Sequence, residues 1–244
     1  MIKSIEEYRK FIQFIVNITK DFSFEQKSAE QIVSVAFYKK MLDSAQNILS
    51  LQKSPYDACI IACQMTEGLF HLCWMLDNPK RIKDYMDFLC VDSLGALGTH
   101  PEAKETILNN VKNNNIARFL KKKVKGENNF TEDILLNPQN YHDAWYKIEC
   151  PNFGCIVERL ICNPDNLYIQ NIYSLYKELC AYKHYSPYVI LPTYGVLSKK
   201  NDREGFISIV NAAEVLFIAL FLASKYQQLD IREIAQKYNN LFNS

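Results

Sequence analysis

The sequence predicts an all-α protein, a single multi-helix bundle built round a buried apolar central helix, and three observations carry that reading. Only seven glycines and eight prolines interrupt 244 residues, too few turn formers for a sheet-rich fold with many tight turns. Apolar side chains recur near every 3.5 residues through long stretches, which is the helical period. Hydrophobic residues make up 48% of the chain, enough to fill a core.

Taken in order, Ser4 stands three residues before Glu7, and Tyr8, Phe11, Ile12, Ile15, Val16 and Thr19 follow at helical intervals. That capping-box spacing starts an amphipathic helix over residues 4–20. After a break over residues 21–24, Ile32, Val35, Ala36, Lys39, Leu42, Ala45, Ile48 and Leu49 extend a periodic run to about Gln52, the expected longest helix. Ser54 and Pro55 supply an N-cap and a first-turn proline, with Asp57 as the favoured early acid. The helix they open, YDACIIACQMTEGLFHLCWML, is apolar nearly all round and is therefore buried among others.

Asp77-Asn78-Pro79 stops that helix and starts another through Tyr85, Phe88 and Leu89. Residues 93–100, with Gly95 and Gly98, read as a loop, and Pro101 opens a helix to about Lys123. Residues 126–140 are rich in Asn, Glu and Pro, so a mobile connection is placed near 124–140 within a single helical domain, 1–244. Pro151 opens a short helix to Cys162, and Asn163-Pro164-Asp165 begins a helix ending near Ser186, because Pro187 pushes its predecessor out of helical space. The run YVILPTYGVL is β-like, but Pro192 and Gly195 argue against a strand. Helices from Gly205 to Gln227, and one capped by Asp230 with Glu233 in the box position, finish the chain.

Bulk charge excludes some function classes. Twenty-eight Lys and Arg against twenty-seven Asp and Glu leave +1, so no global field recruits nucleic acid or an anionic membrane. The one basic cluster, Arg118, Lys121, Lys122, Lys123 and Lys125, reads either as a solvated helix end or as a local nucleic-acid patch, without aromatic residues between the lysines to stack bases. Eight cysteines form no CxxC pair and read as reduced, mostly buried thiols of a cytoplasmic protein. Glu6 and Glu7 stand ahead of the first sustained apolar run, unlike a secretory signal. Phe206–Ala223 is interrupted by Ser208, Asn211 and Glu214. The uninterrupted remainder is too short for a bilayer, and no membrane partner is expected.

Chemistry concentrates in Tyr173–Tyr185, YSLYKELCAYKHY. Lys177 and His184 are seven apart and share a face with Tyr173 and Cys180. Such a stripe suits general acid/base work by His184, with Lys177 neutralising a phosphate and Tyr173 or Tyr176 positioning it. The alternative is a packed aromatic stripe whose histidine caps the helix end. Glu67 and His71, four apart in the buried helix, face the same choice between function and a satisfied polar pair. No metal or cofactor is expected: Glu67, His71 and His184 lack a second Glu-x-x-His element.

Two blocks, IIACQMTEGLFHLCWMLDNPKRIKDYMDF and, after Trp145, IYSLYKELCAYKHYSP, resemble domain-of-unknown-function family 5677, a bacterial family of helical proteins. The resemblance runs through Glu67, the Asp77-Asn78-Pro79 break, Arg81, Tyr85 and the late histidine, over roughly residues 30 to 190. The histidine also resembles that of the HEPN superfamily, in which an arginine, a spacer of four to six residues and a histidine form a metal-independent ribonuclease site, commonly across a dimer. His184 matches the histidine, whereas the six-residue spacing lands on Lys177 instead of arginine. The resemblance implies a HEPN-like core and a ribonuclease or toxin-like effector in bacterial stress or phage defence. It also implies RNA as partner, a homo-oligomer, and His184, Lys177, Glu67, Tyr176 and Tyr173 as site residues. His71, Arg81, Lys121, Lys122 and Lys123 would serve binding. A non-catalytic binding or scaffold protein is the alternative.

Overall fold

Helix signals decide the architecture. In the computed structural model, which describes residues 3–51, 53–98, 100–113, 116–121, 124, 131–163, 166–184, 186 and 203–242, every regular element is helical. The elements are α1 (Ile5–Thr19), α2 (Ala29–Ser50), α3 (Pro55–Leu76), α4 (Pro79–Asp87), α5 (Leu89–Leu94), α6 (Lys104–Asn113), α7 (Glu132–Leu136), α8 (Phe153–Cys162), α9 (Leu167–Lys183), α10 (Arg203–Gln227) and α11 (Arg232–Phe242). Short 3-10 turns join several of them. Among the described residues there is one antiparallel bridge, Leu120 with Tyr141, and no strand. The protein is all-α, as its sparse turn formers and helical period imply.

Caps fix the helix starts. The Ser4 amide donates to the Glu7 carboxylate at 2.7 Å. Ser28 forms the same reciprocal box with Gln31, at 3.1 and 3.2 Å. Each box satisfies orphan amides of a first turn. The Ser54 hydroxyl donates to Asp57 at the start of α3, and the Asn78 side chain accepts the Lys80 amide at 3.0 Å ahead of α4.

The chain divides into two compact units, Met1–Cys73 with Leu160–Ser244, and Trp74–Arg159. In the first unit α10 packs most extensively along α2 and then along α1, with α9 also against it. Its inward residues include Ile209, Ala212, Ala213, Leu216, Ala219 and Leu220, all buried. The Thr66 hydroxyl reaches from α3 to Asn211 on α10 at 3.1 Å, so a polar residue inside an apolar helix finds a partner. Gly68 lets α2 approach α3: a Cβ there would sit 3.3 Å from the Met41 methyl. In the second unit, Tyr85 meets Trp145 edge to face at 5.6 Å, and Phe88 meets Phe119 at 5.2 Å.

Three sequence expectations change. The longest helix is α10 at 25 residues, against 22 for α2. The helix expected from Pro101 to Lys123 breaks into a turn at Pro101–Ala103, α6, and a turn at Ile116–Phe119. Asn113 opens a run of three asparagines in the sequence, a residue type that favours turns over helix interiors. Beyond that run Arg118 is drawn to Asp84 and Asp87, and the Lys121 amide donates to the Asn140 carbonyl at 2.8 Å. Residues 95–98, read as loop, form a 3-10 turn. Of the stretch near 124–140, residues 132–136 are α7 and 138–140 a 3-10 turn. Residues 125–130 and the run YVILPTYGVL lie outside the described residues.

Among the described residues two helices, Pro55–Leu76 and Arg203–Gln227, are long and apolar enough to cross a membrane by length and composition. Their most apolar windows are 61% and 78% buried inside the fold.

Candidate functional site

The site begins with the register of α9. Ile169, Ile172 and Leu179 are buried, and with Tyr176 and Lys183 they follow three–four spacing, one apolar seam of an amphipathic helix. The seam places Tyr176 and Lys183 toward α3, which is apolar on nearly every face and carries Glu67 at mid-length.

There Lys183 and Glu67 pair. The Lys183 Nζ stands 2.7 and 2.6 Å from the two Glu67 oxygens, with the side chains 31% and 24% exposed. The Tyr176 hydroxyl donates to Glu67 Oε1 at 3.1 Å, and its ring meets Phe70 edge to face at 5.3 Å. Glu67 therefore accepts from a cation and a phenol, so a carboxylate can sit in an apolar helix. Burial pushes the Tyr176 hydroxyl well up, with Cys180 and Glu67 adding to it. Burial alone would lower Lys183, but the hydrogen bond and charge of Glu67 leave it raised, hence firmly cationic.

Two thiols adjoin this pair. Cys63 on α3 and Cys180 on α9 bring their sulfurs to 3.7 Å. Hydrogen bonding from Cys63, helped by Tyr176 and the field of His184, brings Cys180 down to about 6 against the opposing effect of burial. The shared hydrogen bond and burial push Cys63 up. Burial lowers His71 to about 4, with Glu67 pulling the other way, so at neutral pH its imidazole is uncharged. At the other end of the same contact, the Tyr56 hydroxyl donates to the Tyr182 carbonyl at 2.6 Å.

Lys177 and His184 take a different course. Both are exposed; Lys177 Nζ lies over the Tyr173 ring at 4.5 Å, and Tyr173 stacks against Tyr176 at 6.3 Å. His184 caps the C-terminus of α9, its amide donating to the Cys180 carbonyl at 3.1 Å. The structure thus joins Glu67 to Tyr176 and to Lys183, a residue the sequence reading did not select, and leaves Lys177 and His184 toward solvent. The missed signal was the seam itself: Lys183 follows Tyr176 by seven residues, one position before the spacing chosen for Lys177 and His184.

The remaining candidates belong to the other unit or lie outside the described residues. Arg81 is committed to Glu149 and Asp77, both at 2.9 Å, and lies over the Trp74 ring at 3.3 Å. Lys121 Nζ donates to the Gln139 carbonyl at 2.8 Å. Lys122 and Lys123 fall outside the described residues.

Comparison with protein families finds that the model of a family of unknown function (DUF5677) matches residues 31–203, well over half of the chain. Neither the curated proteins nor the solved structures yield a match.

Proposed function

The chain belongs to the family of unknown function DUF5677, and from that premise we propose a helical protein that binds RNA and cleaves it without a metal, in the manner of a toxin-like effector. One observation carries the reading: His184 and Lys177 are both exposed on one face of α9, while the neighbouring Lys183 holds the Glu67 charge. The helix so divides its cations between an internal partner and the solvent, where an anionic chain would arrive.

In this reading His184 takes the proton from a ribose 2′-hydroxyl, whose oxygen attacks the adjacent phosphorus and expels the 5′-oxygen. Lys177 neutralises the phosphorane as a point charge, a weaker arrangement than a guanidinium fork. The Tyr173 ring lies beneath the Lys177 ammonium and positions it. Protonation of the leaving oxygen calls for a second acid, which the His184 of another copy would supply in a homo-oligomer. Leu89, 70% exposed, with exposed Tyr85 and Met86, offers apolar surface for self-association.

The test is cleavage of labelled RNA by the purified chain in the presence of a chelator. His184→Ala is expected to lower the rate by about 100-fold or more, the usual worth of a general acid/base. Equal cleavage by wild type and His184→Ala would overturn the assignment. The second reading, a non-catalytic binding or scaffold protein, draws on the satisfied Glu67–Lys183–Tyr176 cluster. It is favoured if RNA is retained uncut by wild type.

A further inference from the structure

We propose that Cys63 and Cys180 form an oxidation-sensitive dithiol, which a hydroperoxide closes into a disulfide joining α3 to α9. The observation is geometric. The two sulfurs lie 3.7 Å apart, so a bond of ordinary length asks them to approach by about 1.7 Å. Closing that distance calls for rotation about the Cys180 Cα–Cβ bond, with any remainder taken up by a shift of either helix. The pair lies between two other α3–α9 contacts, Tyr56 with Tyr182 and Glu67 with Tyr176 and Lys183. These hold the thiols in register before any oxidation occurs.

Access and reactivity divide between the two sulfurs. Cys63 is fully buried, whereas Cys180 is half-exposed and is the one a small peroxide meets first. Hydrogen bonds from Cys63 and Tyr176 favour its thiolate, the nucleophilic form. Lys183 adds a cation beside both thiols. Cys59, one turn before Cys63, contrasts with it: it is fully buried and donates to the Glu204 carbonyl at 3.4 Å. Burial holds its thiol protonated, so proximity to α9 alone does not confer reactivity.

The chemistry balances with hydrogen peroxide as the oxidant. The Cys180 thiolate attacks one peroxide oxygen, the O–O bond breaks, and sulfenic acid and hydroxide form. The Cys63 sulfur then attacks the Cys180 sulfur, the S–O bond breaks, and its thiol proton leaves with the hydroxyl as water. Two thiols lose two electrons in all; the hydroxide takes up the proton that Cys180 released on ionising, so the peroxide ends as two molecules of water. Disulfide formation removes the Cys180 thiolate that Tyr176 favours, and the Tyr176 hydroxyl is itself hydrogen-bonded to Glu67. The Glu67 cluster is thereby coupled to the oxidation state, whether or not His184 cuts RNA.

The full chain, freed of reductant, would be treated with hydrogen peroxide, alkylated, digested without reduction and analysed by mass spectrometry. The expected result is a peptide joining Cys63 to Cys180, lighter by about 2 Da than the two thiol peptides and separated again by dithiothreitol. In Cys63→Ser, dimedone should trap a sulfenic acid at Cys180. Recovery of both residues as alkylated thiols, while Cys150, Cys155 or Cys162 oxidise, would overturn the proposal. So would a Cys63→Ser chain with wild-type circular dichroism and no dimedone adduct at Cys180.

Discussion

Arg81 in the Trp74–Arg159 unit and Lys183 in the other unit both hold a glutamate, and they hold it in unlike ways. Arg81 spends its planar fork on Glu149, Asp77 and the Trp74 carbonyl, with its face on the Trp74 ring. Arg118 repeats the pattern with Asp84, Asp87 and the Phe119 ring. Such an arginine has its donors committed by the geometry of its planar fork. Lys183 offers Glu67 a point charge, and the carboxylate is shared with a phenol beside two thiols and an uncharged imidazole. The first arrangement fastens a fold; the second sets a charge among groups that titrate, oxidise or transfer protons.

The comparison is most readily broken at Arg81. Arg81→Met orphans Glu149 and Asp77 together, and is expected to cost about 3 kcal/mol, measured by urea denaturation. A loss no greater than that of an exposed substitution would remove the distinction between the clusters. Lys183→Met should cost less, about 1 to 2 kcal/mol, because Glu67 keeps Tyr176 and some solvent. Lys177→Met, on the exposed side of the same helix, should stay within about 0.5 kcal/mol. Similar losses from the two lysine variants would contradict the seam described for α9.

A smaller effect sharpens the chemical character of the first unit. Burial pushes Glu214 from an ordinary 4.5 up to about 7, partly offset by a hydrogen bond from Tyr238. The folded chain then binds that proton more tightly than the unfolded chain, so stability falls as pH rises through this window. Glu214→Gln should flatten the fall, with a difference of about 1 kcal/mol between pH 4.5 and 7, after allowing for the side chain's partial exposure. A profile unchanged by the substitution would show that Glu214 does not titrate there.

Much of this was legible in the chain. Ser4 with Glu7, and Ser54 with Pro55 and Asp57, are local signals, and the helices begin where they stand. Glu67 was conspicuous because a carboxylate in an apolar helix must find donors. Its partner was not, because helical spacing alone supports two registers on α9 that differ by one residue. The choice between Lys177 and Lys183 was open only to tertiary packing, where Ile169, Ile172 and Leu179 turn inward. The overlong helix drawn from Pro101 failed for a related reason: Arg118 finds Asp84 and Asp87 across more than thirty residues, a contact invisible to a local window.

Gly68 follows Glu67, and the two serve different neighbours. Glu67 reaches α9, and at Gly68 the missing methyl admits Met41 of α2 at 3.3 Å from where a Cβ would lie. Consecutive residues on a helix point about 100° apart, so α3 reads two surfaces with two adjacent letters. Adding one residue upstream in α3 would rotate the carboxylate into the space fitted to a hydrogen atom, and removing one would carry the gap round to face Lys183. The residue count of α3 ahead of Glu67 therefore sets which neighbour each of its faces meets.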